Sequence, residues 1–162
     1  MAAEFVETMF PDPIDQACYR YPQGGLLQAY SIVQDTEICN PQHVDVHGSK
    51  CLLIVKNSLT TGTTISRTNG LDSFMRIYHE YGISHTSTEI AILPYNKKHG
   101  KFSDPGDSGS IVLDRDGRIV GLLTGGAGPT DGTDITYLTP YWWVEKQVKA
   151  KYPGCFLYNV VQ

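Results

Sequence analysis

The chain has 162 residues and a net charge of −4, from 13 Lys and Arg against 17 Asp and Glu. This length predicts one domain that buries a core without added cross-links, and the 41% apolar fraction excludes a mainly disordered chain. The mild acidity argues against a nucleic acid or an anionic membrane surface as partner. The longest uncharged apolar run, 51–55, is too short to span a membrane.

Four cysteines are spread along the chain with no C-x-x-C pair: Cys18, Cys39, Cys51 and Cys155. This spacing gives no reason to expect a zinc site, a redox site or a cofactor. The N-terminus lacks the basic and apolar regions of a secretory signal. We therefore expect a cytoplasmic protein with reduced thiols, and the alternative is a secreted protein whose signal has been removed.

Residues 1–47 differ from the rest of the chain in composition and hydrophobic pattern. They contain four prolines and no sustained hydrophobic period, and only 26–33 is typical of a short strand or helical turn. They predict an irregular arm that lies over a core, here called the N-terminal arm. The domain that it covers is predicted at 48–162.

Seven short segments after the arm have the β-branched or alternating composition of strands. They are 51–56, 61–68, 73–78, 88–94, 110–114, 119–124 and 134–138. An Asp-Gly pair between the fifth and sixth predicts a tight hairpin, and a glycine-rich loop is predicted at 125–132. A terminal helix is predicted to be capped by Thr139, with Pro140 first, and to stop at Pro153. The pattern predicts an all-β antiparallel barrel with a C-terminal helix.

Segment 104–110 has the composition of a tight turn that could present a serine nucleophile, and we call it the Ser108 turn. It contains Gly106-Asp107-Ser108-Gly109. A serine on a tight turn presents its hydroxyl to a carbonyl carbon, and the N–H groups of Gly106 and Ser108 are suited to hold the developing oxyanion. Glycine at 106 keeps a Cβ away from the substrate. Asp107 is expected to turn inward and fix the turn through buried hydrogen bonds.

The Ser108 turn resembles the nucleophile signature of trypsin-like, chymotrypsin-fold serine proteases. Segments 56–64, 117–126 and 134–140 resemble, in the same order, the first hairpin, the strand after the serine and the closing strand of that family's second barrel. The resemblance covers about residues 48–153 and is strongest to fungal trypsin-like proteins. It implies a single chymotrypsin-like barrel, the serine-bearing half of the two-barrel fold.

The resemblance also implies substrate-binding positions. Thr124, Gly125 and Gly126 correspond to the segment that forms one pocket wall and binds the substrate backbone. Phe102, six residues before the serine, corresponds to the pocket floor. A phenylalanine there shortens the pocket, so a preference for Arg or Lys in that pocket is not supported.

The chain departs from the family in lacking a first barrel, which carries the histidine base and the aspartate that orients it. Six strands with their connections need ~66 residues, which the segment before 51 does not provide. If 43–47 is a strand, His43, Asp45 and His47 share a face and offer a base, an orienting acid or metal ligands, although a solvated face is the simpler interpretation. The other histidines are predicted at the surface, in or beside loops: His79, His85 and His99.

The resemblance to the serine-bearing barrel, together with the missing first barrel, leaves three possible functions. The first is a trypsin-like serine protease homologue with Ser108 as nucleophile, whose base comes from a complementing first-barrel chain or a second copy. The second is an inactive pseudoprotease that binds a peptide or protein, as a defence or immunomodulatory module. The third, and weakest, is an esterase-like hydrolase that uses His43 or His47. Since half a two-barrel fold leaves an apolar face, we expect either a homodimer or the N-terminal arm packed across that face.

Overall fold

The computed structural model describes residues 2–82, 84–95, 100–127 and 135–157. The helices in this part of the chain are α1 (Ala2–Met9), α2 (Pro13–Cys18), α3 (Asp35–Cys39) and α4 (Tyr141–Lys151). The strands are β1 (His43–Val44), β2 (Lys50–Ser58), β3 (Gly62–Thr68), β4 (Asp72–Tyr78), β5 (Ser84–Pro94), β6 (Ile111–Asp114), β7 (Ile119–Ala127) and β8 (Ile135–Pro140). None of the helices described here has the length and apolar character needed to cross a membrane.

Six strands close into an antiparallel barrel. The pairing runs from β2 through β3, β5, β8, β7 and β6, and β6 returns to pair with β2. Strand β4 pairs with the first part of β5 as a two-stranded ribbon, and β1 pairs with the start of β2. The predicted all-β antiparallel barrel followed by a C-terminal helix is confirmed.

Strand β2 is buried on both faces. Leu52 and Ile54 point into the barrel core, which they share with residues of the other strands. The alternate residues Cys51, Leu53 and Val55 pack outside the barrel against three side chains from the start of the chain: Phe5, Met9 and Phe10. The double burial explains why the sequence of β2 is a continuous apolar run rather than an alternating one.

The N-terminal arm contains short helices where the sequence predicted irregular structure. In α2, Asp12 accepts the N–H of Ile14 and Pro13 occupies the first turn, which is a favourable helix start. Of segment 26–33, Ile32 forms a single parallel bridge to Ile119 of β7. The arm covers the outer face of β2. The expectation of a homodimer, or of an arm across the face left by the missing first barrel, stays a prediction. The domain boundary after residue 47 stays a prediction.

Most element boundaries differ from those predicted by one or two residues, and three differences have a clear cause. Strand β5 begins at Ser84 rather than at 88, because its first residues pair with β4, starting with Ser84 opposite Tyr78. Strand β7 continues through Ala127 into the predicted loop, because β8 pairs with it up to Ile135. Helix α4 begins at Tyr141, so that Pro140 rather than Thr139 occupies the cap position. The remainder of the predicted loop, 128–132, lies outside the described residues.

Candidate functional site

The Ser108 turn lies just before β6 and presents Ser108 at the surface. Gly106 has a φ of +105° and Gly109 a φ of +85°, which are conformations that only glycine adopts without strain. A Cβ at Gly106 would lie 2.5 Å from Thr60 Oγ1, whereas a Cβ at Gly109 would meet no atom within 4 Å. The turn therefore requires glycine at 106 for two independent reasons.

The backbone N–H groups of the Ser108 turn differ in whether they donate a hydrogen bond to another described residue. Four of them donate hydrogen bonds within the protein, those of Asp104, Asp107, Gly109 and Ser110. The N–H groups of Gly106 and Ser108 have no acceptor among the residues that the structure describes. These two groups flank Asp107 and are free to bind an oxygen atom of a ligand.

The side chain of Asp107 lies inside the barrel and holds the turn from below. Its Oδ1 accepts the N–H of Thr60 at 2.8 Å, and its Oδ2 accepts the Thr61 hydroxyl at 2.7 Å and the N–H of Asp104 at 3.1 Å. The ammonium of Lys56, at the end of β2, lies 3.3 Å from Oδ2. Lys56 follows the inward-facing pattern of Leu52 and Ile54, which brings its charge into the barrel.

These contacts keep Asp107 ionised. Burial alone would raise the pKa of the carboxyl, but hydrogen bonds from Thr61, Thr60 and Asp104 outweigh it and hold the pKa well below its usual range. Burial lowers the pKa of Lys56, and the charge of Asp107 counters this effect. A fixed negative charge therefore anchors the turn that carries Ser108.

The structure does not place His43 beside Ser108. His43 packs near Asp114 and Asp116, at the end of β6 opposite the Ser108 turn. Its Nδ1 accepts the N–H of Leu53 at 3.3 Å, and burial lowers its pKa from 6.5 to about 4. No hydrogen bond joins the Ser108 hydroxyl to an imidazole in residues 2–82, 84–95, 100–127 and 135–157. His99 lies outside the described residues.

The side chains of His43, Asp45 and His47 do not form one site. Asp45 is committed to the Arg67 guanidinium and to the N–H groups of His47 and Ser49. His43 instead shares a cluster with Asp114 and Asp116, whose ligand atoms lie within 4.8 Å of one another. Because His43 Nδ1 accepts a backbone N–H, its proton lies on Nε2, which leaves no lone pair there for a metal.

Of the four predicted substrate-binding residues, Thr124, Gly125 and Gly126 lie together in β7, whereas Phe102 lies apart from them. Phe102 is buried in the barrel core, 5.3 Å from the Lys56 ammonium. Gly125 and Gly126 pair on one side with β8, while β6 pairs with β7 only as far as Leu122. The other edge of β7 is therefore not covered by β6 beyond that point.

Sequence reasoning missed Glu89 of β5, which is 6% exposed. Its Oε2 accepts the hydroxyls of Thr139 at 2.9 Å and Thr124 at 3.4 Å. Thr124 follows Leu123, whose carbonyl accepts the N–H of Gly109, so Glu89 is linked to the Ser108 turn through β7. The sequence holds a weak signal, an acid inside a predicted strand, which is ordinarily a solvent-facing residue.

No family model matches the chain, and no curated protein matches it. A solved structure that aligns with it is the chymotrypsin of Cellulomonas bogoriensis, with 18% sequence identity and a TM-score of 0.47. The alignment covers 82% of this chain and 57% of that protein. The chain thus spans less than two thirds of the length of the chymotrypsin.

Proposed function

We propose that the chain is a trypsin-like serine protease homologue in which Ser108 occupies the nucleophile position. The observation that carries this proposal is the pair of free N–H groups at Gly106 and Ser108 within a turn whose other described N–H groups are bonded. Such a pair is suited to an oxyanion. The edge of β7 that β6 leaves unpaired beyond Leu122, at Thr124, Gly125 and Gly126, supports an extended peptide as the bound substrate. We further propose that the fungal trypsin-like proteins are the members of this family that the chain resembles most.

A serine hydroxyl needs a base to act at neutral pH. In this proposal the base is an imidazole from a complementing first-barrel chain or from a second copy. A fluorophosphonate probe tests the serine directly, with and without added imidazole in solution. We expect labelling that rises with imidazole, disappears in Ser108→Ala and persists in Ser110→Ala, which removes a neighbouring hydroxyl of the same turn.

The second candidate function is an inactive module that binds a peptide or protein. The placement of His43 favours it, because this histidine is buried beside Asp116 and away from the Ser108 turn. A folded protein that remains unlabelled under every imidazole concentration, while binding a peptide along β7, would favour this function over the first.

A further inference from the structure

Strand β4 has one open edge. It pairs with β5 along its whole length, in seven consecutive residue pairs from Asp72–Ile90 to Tyr78–Ser84. Its other edge pairs with no strand in the part of the chain that the structure describes. An open edge presents a row of unpaired backbone N–H and C=O groups, so β4 can accept a further strand.

The composition of β4 does not protect this edge. Edge strands that stay unpaired usually carry proline, lysine or a bulge, and Asp72–Tyr78 contains none of these. Its two charged residues have opposite signs, and neither Asp72 nor Arg76 forms an ion pair with another described residue. Both charges are therefore available to a partner.

The side chains of β4 include exposed apolar groups on both faces of the strand. Phe74 is 75% exposed and Tyr78 is 73% exposed, and these two residues share one face with Arg76. Ile77, on the opposite face, is 45% exposed. A contiguous group of exposed apolar side chains is typical of an interaction surface.

The sequence of β4 is complementary to itself in antiparallel pairing. When Phe74 lies opposite Phe74 of a second copy, Asp72 lies opposite Arg76 of that copy, and the two-fold axis repeats this ion pair. All three side chains lie on one face, so the two ion pairs flank an aromatic pair. Opposite charges and aromatic rings directly across adjacent strands stabilise the pairing.

The same charges disfavour the neighbouring registers. A two-fold axis through Asp72 places two carboxylates opposite each other, and an axis through Arg76 does the same with two guanidinium groups. Like charges in these positions are destabilising. An axis through Ser73 or Met75 brings no ion pair together. The charge pattern therefore selects the register centred on Phe74.

We propose that the chain forms a homodimer in which β4 pairs antiparallel with β4 of a second copy, with Phe74 at the two-fold axis. The two β4–β5 ribbons then form one four-stranded sheet. This interface lies on a different element from the Ser108 turn and from the open edge of β7. The inference therefore requires neither an active serine nor a partner that supplies a base.

Sedimentation equilibrium measures the association. We expect a dissociation constant on the order of 10 µM, because an edge of seven residues is smaller than a standard interface. Arg76→Asp replaces both ion pairs by like-charge pairs and should weaken the dimer about tenfold or more. Asp72→Arg combined with Arg76→Asp reverses both pairs and should restore the dissociation constant to within about threefold of the original.

Two further variants serve as controls. Arg20→Asp makes the same change of net charge on the N-terminal arm and should dimerise as the original chain does. Ser108→Ala should also dimerise, so a failure of the dimer and a failure of Ser108 labelling are judged separately. Thermal unfolding verifies that each variant is folded.

Disulfide formation tests the register, in a background where the three exposed cysteines are replaced by serine: Cys18, Cys39 and Cys155. Phe74→Cys should form an intermolecular disulfide on oxidation, because paired Cα atoms on adjacent antiparallel strands lie about 4.5 to 5.5 Å apart. Thr88 lies opposite Phe74 on β5. It would be three strand spacings, about 14 Å, from Thr88 of the second copy, so Thr88→Cys should not cross-link.

Three results would overturn the proposal. The first is a chain that remains monomeric at about 200 µM, well above the expected dissociation constant. The second is a folded Arg76→Asp variant that dimerises like the original chain, or a folded double variant that does not regain the lost affinity. The third is equal cross-linking of Phe74→Cys and Thr88→Cys.

Discussion

Lys56 Nζ and Asp107 Oδ2 lie 3.3 Å apart with no exposed surface on either side chain, so an ion pair inside the barrel joins β2 to the Ser108 turn. A buried pair of this kind contributes little compared with an apolar pair of the same shape, but removal of one partner leaves an uncompensated charge. The pair therefore makes the conformation of the Ser108 turn depend on a strand distant in sequence.

The first prediction concerns this pair. Lys56→Met should lower the free energy of unfolding by about 3 to 5 kcal/mol, because it leaves Asp107 buried without its counter-ion. Urea unfolding measures the loss, and Lys101→Met, which removes an exposed lysine paired with Asp104, should cost no more than about 0.5 kcal/mol. Equal effects of the two substitutions would contradict the role of the buried pair.

A second prediction separates strain from collision in the Ser108 turn. Gly109→Ala places a Cβ in open space at a positive φ, and should cost about 1 kcal/mol. Gly106→Ala adds a collision with Thr60 Oγ1 and should cost more. Thr60→Ala in the Gly106→Ala background should restore part of the loss in urea unfolding. No difference between the two glycine substitutions would show that the collision is relieved without cost.

A third prediction follows from the low pKa of His43. The folded pKa is about 4 and the ordinary value is 6.5, so between these values the unfolded chain takes up a proton that the folded chain does not. The stability contributed by neutral His43 is complete above pH 6.5 and is lost as the pH falls toward 4. The free energy of unfolding should decrease by up to about 3 kcal/mol over this interval.

Urea unfolding at a series of pH values measures this slope. His43→Gln is the matched variant, because its side-chain oxygen can still accept the N–H of Leu53 but does not titrate. The variant should lose less stability between pH 6.5 and pH 4 than the original chain. Parallel pH profiles for the two proteins would assign the acid sensitivity to other groups.

A fourth prediction concerns the N-terminal arm. Phe5 is 4% exposed and contacts the rings of Phe10, Tyr19 and Tyr21, while the arm residue Ile14 is 74% exposed. Phe5→Ala should cost about 3 to 5 kcal/mol through lost burial and a cavity, and Ile14→Ala about 0.5 kcal/mol or less. Thermal unfolding compares the two, and similar small losses would mean that the arm contributes little to stability.

The barrel strands could be predicted because their composition is local. Residues 51–56 are apolar enough to be a strand in any context, and the Asp-Gly pair before Arg118 specifies a hairpin without reference to the rest of the chain. The sequence could not show that Lys56 points inward, because a continuous apolar run does not distinguish the two faces of a strand. The helix that covers the outer face, α1, is too short to be recognised without the strand it packs on.

The site was predictable to the same extent. The Ser108 turn is a contiguous motif, and its glycines at 106 and 109 are typical of positions with positive φ. Glu89 is different, because its role arises from Thr124 and Thr139, which lie 35 and 50 residues away in sequence. Whether an acid on a strand faces water or two hydroxyls depends on barrel closure, which is a long-range event.

Because the outer face of β2 is covered by the start of the chain, the reactivity of Cys51 reports whether that cover is in place. Burial raises the pKa of the Cys51 thiol to about 11, and α1 covers it on the outer face of the strand, whereas Cys18, Cys39 and Cys155 are exposed. An alkylating reagent reaches Cys51 only when the start of the chain leaves the barrel wall. We therefore expect the alkylation of Cys51 to be slower than that of the three exposed thiols, and its rate to follow how often the first ten residues detach.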